Sequence, residues 1–236
     1  IYTTSSYWNA FPRSPMVMDI NFMGENYFII NNHFKCCGDG IIDFDDTSDE
    51  ENRRYTAINL IKEYIDNNLS DNNVIVLGDL NDNITEDPPN NVFQNVLNDS
   101  THYRFADFEI AQGNSSEWSF PNWPDHLDHI LITNEMFNGL NNSEVQTIKI
   151  DEYLDGGWNE YDQNISDHRP VAIKFSINSV PSYDINNDGI INDSDFIMLL
   201  SFVMNDNELM DSADINFDSA VDIFDLLLLS DFLQNM

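Results

Sequence analysis

Val74-Ile75-Val76-Leu77-Gly78-Asp79-Leu80-Asn81 is the stretch that decides the fold class of this chain. Its four leading apolar residues have the length and the β-branched content of a buried strand, and the Gly-Asp pair closes the run. Upstream, apolar residues recur at helical spacing between 54 and 69, and Tyr27-Phe28-Ile29-Ile30 forms an earlier strand-like run. Because the order is strand, helix, strand, we expect an α/β core.

Two further apolar runs, Ile130-Leu131-Ile132 and Val171-Ala172-Ile173, are expected to add strands to this core. The composition changes soon after them, since twelve acidic residues and no Lys or Arg occur from Asp184 to Asp231. We therefore predict two domains, an α/β domain over residues 1–177 and a small domain over residues 178–236.

The chain is strongly acidic, with 42 acidic against 9 basic residues and a formal net charge of -33. Long-range electrostatics therefore repel nucleic acid and anionic membranes, so a phosphate group has to be bound locally. This charge suits a salty extracellular setting, and no apolar stretch approaches the ~18 to 20 residues of a membrane span. Because the first residues show neither an initiator Met nor a signal-peptide pattern, we expect a processed or truncated product of a secreted protein.

The two cysteines of the chain are adjacent, at Cys36 and Cys37. This number excludes a disulfide framework and a four-cysteine zinc site. Adjacent residues fit ordinary disulfide geometry poorly, so a strained vicinal bridge and two packed thiols are equal alternatives. We assign neither cysteine a catalytic role.

The C-terminal segment contains an internal repeat with a period of 30, and each copy has the pattern of a twelve-residue calcium loop followed by one helix. Oxygen-bearing side chains fall at loop positions one, three, five, nine and twelve, and position seven offers a backbone carbonyl, as a hard cation requires. The expected ligands of the first site are Asp184, Asn186, Asp188, Ile190, Asn192 and Asp195, and those of the second site are Asp214, Asn216, Asp218, Ala220, Asp222 and Asp225.

Position six of such a loop turns sharply with positive φ, a conformation that glycine adopts without strain. The first loop has Gly189 there, whereas the second has Ser219. The serine costs on the order of 1 kcal/mol in strain, so we expect weaker calcium binding at the second site. The segments that follow the loops, 196–204 and 226–233, are too apolar for the alternative of an acidic disordered tail.

These two loops, each with Asp at position twelve and one helix after it, resemble a type I dockerin over about residues 180–236. The resemblance implies a module that folds on Ca²⁺ and attaches an enzyme to a cohesin domain outside the cell. Loop positions ten and eleven often contact the partner in that family. Here they are Asp193-Ser194 and Ile223-Phe224, so the two halves would not be interchangeable. The apolar helix faces either join that contact or pack on one another.

Four polar motifs occur in order along the first domain, and we place each at the end of an apolar strand-like run. They are Asn31-Asn32-His33, Gly78-Asp79-Leu80-Asn81, Leu127-Asp128-His129-Ile130 and Ser166-Asp167-His168. Reactive loops of an α/β sheet lie at strand ends, so these motifs are expected to converge on one anionic group. Acids would hold a divalent cation and activate water there, while imidazoles and the amide would bind phosphate oxygens.

The ordered set resembles the endonuclease/exonuclease/phosphatase superfamily, which includes deoxyribonuclease I, over about residues 11–177. The resemblance implies part of a four-layer α/β sandwich, two packed mixed sheets with outer helices, and phosphodiester hydrolysis with Mg²⁺ or Mn²⁺. Asp79 would be the general base or the acid that orients water, Asp167 a metal ligand, and Asp128 the carboxylate that orients His168 on the scissile phosphate. The implied further phosphate contacts are His33, Asn81 and Arg13.

Members of that superfamily carry two earlier motifs, an Asn that ends the first strand and a Glu that is the principal metal ligand. Nothing upstream of Arg13 matches this pair, so we expect the chain to begin partway through the domain. The leading hypothesis is a secreted metal-dependent nuclease with a calcium-dependent docking module. The alternatives are a phospholipid or phosphoinositide phosphoesterase of the same fold, and a catalytically incomplete module that only binds protein.

Other residues near the motifs are expected to be structural or solvated. His129 alternates with Asp128 along a strand and should face the opposite side of the sheet. Arg53-Arg54 begins the amphipathic helix and should be solvated, and His102 and His126 match no motif. We expect the aromatic residues before Asp128 to form either a substrate platform or part of a core; they are Trp118, Phe120 and Trp123.

Overall fold

The computed structural model of the protein describes residues 2, 7–22, 24–140, 143–175, 183–186, 188–205, 213–215 and 220–235. The chain divides into two compact units, Ile1–Ile20 with Asn26–Ser176, and Asn21–Glu25 with Ile177–Met236. The predicted boundary between 177 and 178 lies outside the described residues and stays a prediction. In the described part of the chain, no helix is both long and apolar enough to span a membrane.

The large unit is built on a mixed five-stranded sheet and a separate two-stranded one. The strands are β1 (Met16–Phe22), β2 (Glu25–His33), β3 (Asn73–Asp79), β4 (Tyr103–Phe105), β5 (Asp128–Thr133), β6 (Glu144–Thr147) and β7 (Val171–Lys174). The order in the larger sheet is β1-β2-β3-β5-β4, and β6 pairs with β7 in the smaller sheet.

Seven α-helices occur in the described residues, of which three exceed three turns. They are α1 (Glu50–Asn68), α2 (Gln94–Leu97), α3 (Phe108–Gln112), α4 (Phe137–Leu140), α5 (Gly157–Asn164), α6 (Asp193–Asn205) and α7 (Ile223–Gln234). The long helix α1 begins at its capping residue Asp49, whose carboxylate accepts the Asn52 N–H at 2.7 Å.

Strand β3 separates two apolar layers because its side chains alternate between the two faces of the sheet. Val74 and Val76 pack in one core with the buried face of α1, which includes Ile58 and Ile61. Ile75 and Leu77 pack in a second core with residues of β5 and β7. The larger sheet therefore has a helix on one face and the smaller sheet on the other, and the predicted α/β class is confirmed.

The strand directions bring the polar motifs to one edge of the larger sheet. Strand β2 is parallel to β3, so its last residue His33 pairs with Asp79 at the end of β3. Strand β5 is antiparallel to β3, and its first residue Asp128 also pairs with Asp79. Asp128 and His168 precede their strands β5 and β7, whereas the motifs of His33 and Asp79 lie at the ends of β2 and β3. The antiparallel direction of β5 compensates, because it returns the start of that strand to the same edge.

Arg54 is not solvated, contrary to the expectation for the start of α1. It is 3% exposed, and its Nε donates to Asp82 Oδ2 at 2.7 Å. Its Nη2 lies 3.3 Å from Oε1 of Glu51, which is also buried. Two ion pairs and further hydrogen bonds compensate the desolvation of the guanidinium, which is the usual condition for burying a charge.

The small unit has a core of its own. Apolar residues from both repeats share it, among them Ile185 and Leu199 of the first repeat and Ile215 and Leu226 of the second. The faces of α6 and α7 therefore pack in one core, as one of the two expected alternatives proposed. Other apolar side chains of the unit stay exposed, including Phe224.

Candidate active site and calcium loops

A cavity of about 880 Å³ in the large unit collects the predicted catalytic residues. Six of them line it: His33, Asp79, Asn81, Asp128, Asp167 and His168. Arg13 is exposed in the segment before β1 and is not among the lining residues, so the structure does not bring it to this group.

The Gly78-Asp79 pair has a steric basis at the edge of the sheet. Gly78 has a φ of +127°, and a Cβ atom placed on it would lie 2.0 Å from the backbone oxygen of Asn32 in β2. Only glycine permits this close approach of the two strands. The next residue, Asp79, then accepts the backbone N–H of Asn81 at 3.0 Å and lies 3.3 Å from His33 Nε2.

The imidazole of His168 is fixed on two sides. Its Nδ1–H donates to Asp128 Oδ2 at 2.6 Å, which leaves Nε2 available to a substrate. The ring of Phe120 lies against it, with ring centroids 4.7 Å apart. Phe120 therefore supports the His168 ring at the cavity wall, which favours the site alternative over the core alternative for this aromatic residue.

The electrostatic environment shifts the pKa values of both principal groups upward. Burial and the negative charge of Asp128 raise the pKa of Asp79, although His168, His33 and the Asn81 N–H oppose the shift. Burial alone would lower the pKa of His168, but its hydrogen bond to Asp128 and the nearby carboxylates outweigh burial and raise it. Asp79 is therefore a stronger proton acceptor than an ordinary carboxylate, and His168 favours the imidazolium form.

The same residues offer a donor set for a divalent cation. Ligand atoms of Asp79, Asp128 and His168 lie within 4.8 Å of one another, and the two carboxylates are the ligands open to a cation, since the imidazolium form of His168 has no free lone pair. Carboxylate oxygens are the ligands that Mg²⁺ and Mn²⁺ prefer, so the donor chemistry fits the predicted cofactor. The predicted metal ligand Asp167 is exposed at the cavity and lies outside this cluster of three.

A second group of potential ligands, Asp107 with His126 and His129, is a buried structural cluster of three residues and not a metal site. His129 Nδ1 lies 2.6 Å from Asp107 Oδ2 and Nε2 lies 2.9 Å from the Asp82 carbonyl oxygen, so both ring nitrogens donate and the ring is an imidazolium. His126 donates from Nε2 to the same carboxylate and accepts the Ser119 N–H at Nδ1. No lone pair of either ring is free for a metal.

The pKa shifts of Asp107 and His129 agree with these proton positions. Burial would raise the pKa of Asp107, but the two histidines outweigh it and lower the pKa. Burial would lower the pKa of His129, but Asp107 outweighs it and raises the pKa. The structural role expected for His129 therefore agrees with the geometry, since the ring is bound beneath the Asp128 motif.

The sequence motifs identified only three carboxylates of the cavity wall, Asp79, Asp128 and Asp167, and missed the other four. Seven carboxylate residues line it against a single Arg54: Glu51, Asp79, Asp82, Glu86, Asp125, Asp128 and Asp167. Asp82 directly follows the Gly78-Asp79-Leu80-Asn81 motif, which is the only sequence signal that points to these other four. The cavity therefore has a strongly negative potential.

Glu86 on this wall gives a test of the electrostatics. Partial burial and the charge of Asp82, with smaller effects from Asp125 and Glu51 and opposition from Arg54, raise the pKa of Glu86 from 4.5 to about 7. Between these two pKa values the folded chain binds a proton that the unfolded chain releases, so stability falls as the pH rises from 4.5 to about 7.

We expect Glu86→Gln to raise the thermal unfolding midpoint at about pH 8. At about pH 4 the midpoint should not change, because Glu86 is then mainly protonated in both the folded and the unfolded chain. Thermal melts of both proteins at constant ionic strength measure this difference. The matched control is Glu109→Gln, which removes an exposed carboxylate on α3 and should change the midpoint equally at both pH values. Equal midpoints for Glu86→Gln and the unmodified protein at pH 8 would show that the wall does not destabilise the charged form.

The first calcium loop is curled by hydrogen bonds to its own carboxylates. Asp184 accepts the N–H groups of Asp188 at 3.1 Å and Gly189 at 2.8 Å, and Gly189 has the expected positive φ of 83°. Asp195 at position twelve is fully buried and accepts the N–H groups of Asn186 at 3.1 Å and Asn192 at 2.8 Å. These contacts hold the loop in a curled conformation, and the six calcium ligands expected from its sequence stay predictions.

The second loop is described only in part, since Asn216, Asp218 and Ser219 lie outside the described residues. Asp225 at position twelve is fully buried and accepts the N–H groups of Ile215 at 2.7 Å and Asp222 at 2.8 Å. Both position-twelve carboxylates therefore close their loops in a similar way. The predicted carbonyl ligands Ile190 and Ala220 and the side chain of Asp214 stay predictions.

Comparison with known proteins identifies the C-terminal segment. Residues 182–234 match the model of the dockerin type I domain, which confirms the prediction made from the two loops. The curated protein sequences contain no match to the chain.

Several solved structures resemble the chain at low identity. D. rerio TDP2 complexed with single-strand DNA product is 15% identical with a TM-score of 0.47, over 68% of this chain and 60% of that one. The human Nocturnin catalytic domain with bound sulfate anion is 16% identical with a TM-score of 0.42, over 69% and 52%. SmcL is 19% identical with a TM-score of 0.43, over 67% and 57%. The chain thus spans little more than half the length of these proteins, and its function has to be argued from its own residues.

Proposed function

We propose that the large unit is a divalent-metal-dependent phosphodiester hydrolase and that the small unit attaches it to a cohesin domain outside the cell. The Asp128–His168 hydrogen bond of 2.6 Å, with Asp79 in the same cluster at a cavity wall, is the observation that supports the hydrolase best. An oriented imidazolium beside a carboxylate with raised proton affinity suits the hydrolysis of a phosphate ester.

In the proposed reaction a water molecule attacks the phosphorus atom, and Asp79 accepts the proton that the water loses. His168 directs its Nε2–H at a phosphate oxygen and stabilises the negative charge that develops there, while Asp128 holds the ring in position. Asn81 and His33 bind further phosphate oxygens. The bond from phosphorus to the leaving oxygen breaks, the alkoxide takes a proton from solvent water, and Asp79 returns its proton to solvent, so that the products are a phosphomonoester and an alcohol.

Mg²⁺ or Mn²⁺ is the proposed cofactor, which the carboxylates of Asp167 and Asp128 would hold while Asp79 remains the proton acceptor. When bound, such a cation neutralises phosphate charge and lowers the pKa of a bound water. The residues of this chain then need only to place the phosphate and accept one proton.

The charge of the cavity favours a second candidate substrate within the same reaction class. Polyanions are bound through Lys and Arg, but among the described residues that line the cavity Arg54 is the only such side chain, and it is ion-paired. Trp123, which is 78% exposed, and Phe120 supply aromatic surface beside the acidic wall. Aromatic rings and carboxylates together suit a cationic group, so a zwitterionic phospholipid head group competes with nucleic acid as the substrate.

Three substrates separate these possibilities: single-stranded oligodeoxynucleotide, supercoiled plasmid and p-nitrophenyl phosphorylcholine, each assayed with Mg²⁺, with Mn²⁺ and with EDTA. We expect metal-dependent cleavage that EDTA abolishes, and the rates rank nucleic acid against the zwitterionic ester. His168→Ala is the control for a contaminating hydrolase. If neither metal supports cleavage of any substrate, the hydrolase proposal is wrong and the docking module is the working part.

The docking half of the proposal is supported by the second repeat. Ile223 and Phe224, at loop positions ten and eleven, are 55% and 60% exposed although both are apolar. The corresponding positions of the first repeat, Asp193 and Ser194, are polar. A protein partner that covers Ile223 and Phe224 removes this apolar surface from water, so the second repeat is the proposed contact face.

A further inference from the structure

The loop after β2 places two thiols side by side on the wall of the cavity. Cys36 and Cys37 are free and exposed, and Cys37 Sγ donates to Cys36 Sγ at 2.9 Å. Both residues line the cavity that contains His33 and Asp79. The proposed hydrolysis uses neither thiol, so this arrangement is not explained by the catalytic cluster.

A buried anchor holds these thiols in place. Arg54 donates from Nη1 to the carbonyl oxygens of Lys35 at 2.9 Å and Cys37 at 2.6 Å, which fixes the backbone on both sides of Cys36. Arg54 is held in turn by its ion pairs with Asp82 and Glu51. The dithiol is therefore preorganised, and a ligand that needs both sulfur atoms does not have to order the loop.

The backbone conformation of the pair is unusual. Cys37 has a φ of +72°, a region that residues other than glycine rarely adopt. In the part of the chain that the structure describes, the only other such residue is Asn81 of the catalytic motif. Strained backbone of this kind persists where the surrounding structure imposes it, often at functional sites. Arg54 Nη1 bonds the carbonyl oxygen of Cys37 and so holds this backbone in place.

We propose that Cys36 and Cys37 form a bidentate site for a soft, thiophilic cation or metalloid, with trivalent arsenic and Cd²⁺ as examples. Soft centres select thiolate ligands, whereas Mg²⁺ and Mn²⁺ select the oxygen ligands of the catalytic cluster. The cavity thus contains two sites of opposite selectivity. A ligand bound to the two thiols reduces access to His33, so it should inhibit the hydrolysis. The inhibition rests on the proposed function, whereas the binding of the ligand to the thiols does not.

A trivalent arsenical tests the site with balanced chemistry. Both thiols attack the arsenic atom of phenylarsine oxide, two As–S bonds form, and the oxygen leaves as water with the two thiol protons. No electron is transferred to or from the protein. A single thiol forms only a labile adduct, so the reaction distinguishes a dithiol from two independent cysteines.

The experiment uses the full chain, reduced with a phosphine and treated with phenylarsine oxide, and intact mass as the readout. We expect one phenylarsenic group on the unmodified protein, none on Cys36→Ser or Cys37→Ser, and its complete removal by 2,3-dimercaptopropanol. N-ethylmaleimide in parallel should add two groups to the unmodified protein and one to each variant, which shows that the thiols are reduced and accessible.

The proposal is overturned if the unmodified protein takes up no arsenical although N-ethylmaleimide reacts with both thiols. It is also overturned if a single-serine variant binds the arsenical equally well, or if the thiols resist N-ethylmaleimide after reduction. Hydrolysis is measured separately, before and after phenylarsine oxide is added. The arsenical should reduce the hydrolysis rate of the unmodified protein and should not change that of the Cys36→Ser, Cys37→Ser double variant. If the arsenical binds but hydrolysis continues at the same rate, only the predicted inhibition is wrong. If the unmodified protein hydrolyses no substrate, the proposed function is wrong, and the intact-mass result still decides whether the dithiol site exists.

Discussion

Replacing Asp128 with Asn is expected to lower phosphodiester hydrolysis by roughly 10²- to 10⁴-fold while the chain stays folded. Asp128 Oδ2 accepts the Nδ1–H of His168 at 2.6 Å, and its charge overcomes the effect of burial and raises the pKa of His168. Asn keeps the size of the side chain but removes its charge. The imidazole then loses part of its proton affinity and its fixed orientation toward the phosphate.

Rates against pH, together with an NMR titration of the histidines, measure this effect. The pKa of His168 should fall toward its ordinary value of 6.5 in Asp128→Asn. His168→Ala should cost about as much activity as Asp128→Asn, and the double variant no more than either, because the two side chains act as a unit. The matched control is Asp71→Asn, an exposed carboxylate before β3, at the opposite end of that strand from Asp79. Full activity in Asp128→Asn, or losses that add in the double variant, would contradict the pairing.

The elements that could be predicted from sequence are those whose pattern is decided locally. Strands β2, β3 and β5 and the helix α1 carry apolar runs or helical periodicity, and each was predicted near its observed position. Strands β4 and β6 are short and partly polar, at Tyr103–Phe105 and Glu144–Thr147, so they are stabilised mainly by pairing with a neighbour. Such pairing is a tertiary property that no local pattern reveals.

The same distinction applies to the site. Asp79 and Asp128 were predicted because their motifs adjoin strands, and strand ends meet at a sheet edge. Arg54 was assigned to solvent because a charged residue at a helix start is usually solvated, but Asp82 lies 28 positions away and neutralises it inside the protein. The raised pKa of Glu86 likewise depends on its burial in the folded chain and on the charge of Asp82, with smaller contributions from the distant Asp125 and Glu51. Charge burial is set by partners distant in sequence, so single-residue patterns cannot predict it.

Removing Ca²⁺ with EGTA is expected to unfold α6 and α7 and to abolish binding to a cohesin domain, while the large unit keeps its structure. The small unit has only a small apolar core, and its segment from Asp184 to Asp231 carries twelve acidic residues without a single Lys or Arg. A core of this size is marginal without a staple, and the acids repel one another. Bound calcium adds about 4 kcal/mol when its free concentration is roughly 1,000 times Kd.

Far-UV circular dichroism and a cohesin pull-down, each during a calcium titration, measure this dependence. Asp195→Ala and Asp225→Ala each remove a buried carboxylate that is both a proposed ligand and the closing contact of its loop. Asp231→Ala, an exposed acid on α7, is the control and should leave the titration unchanged. Mg²⁺ should not replace Ca²⁺, because it demands a smaller octahedral site. Unchanged helix content and cohesin binding in EGTA would refute the dependence.

The two loops should also differ in this titration, because Gly189 of the first loop adopts its positive φ without strain and the second loop has Ser219 at that position. Asp195→Ala should therefore abolish the tighter of two calcium steps, and Asp225→Ala the weaker one. Ser219→Gly should bring the weaker step closer to the tighter one, by up to about fivefold for a strain of about 1 kcal/mol. Two identical steps in the unmodified chain would show that the serine costs nothing, and the asymmetry of the repeats would then lie only in the residues that face the partner.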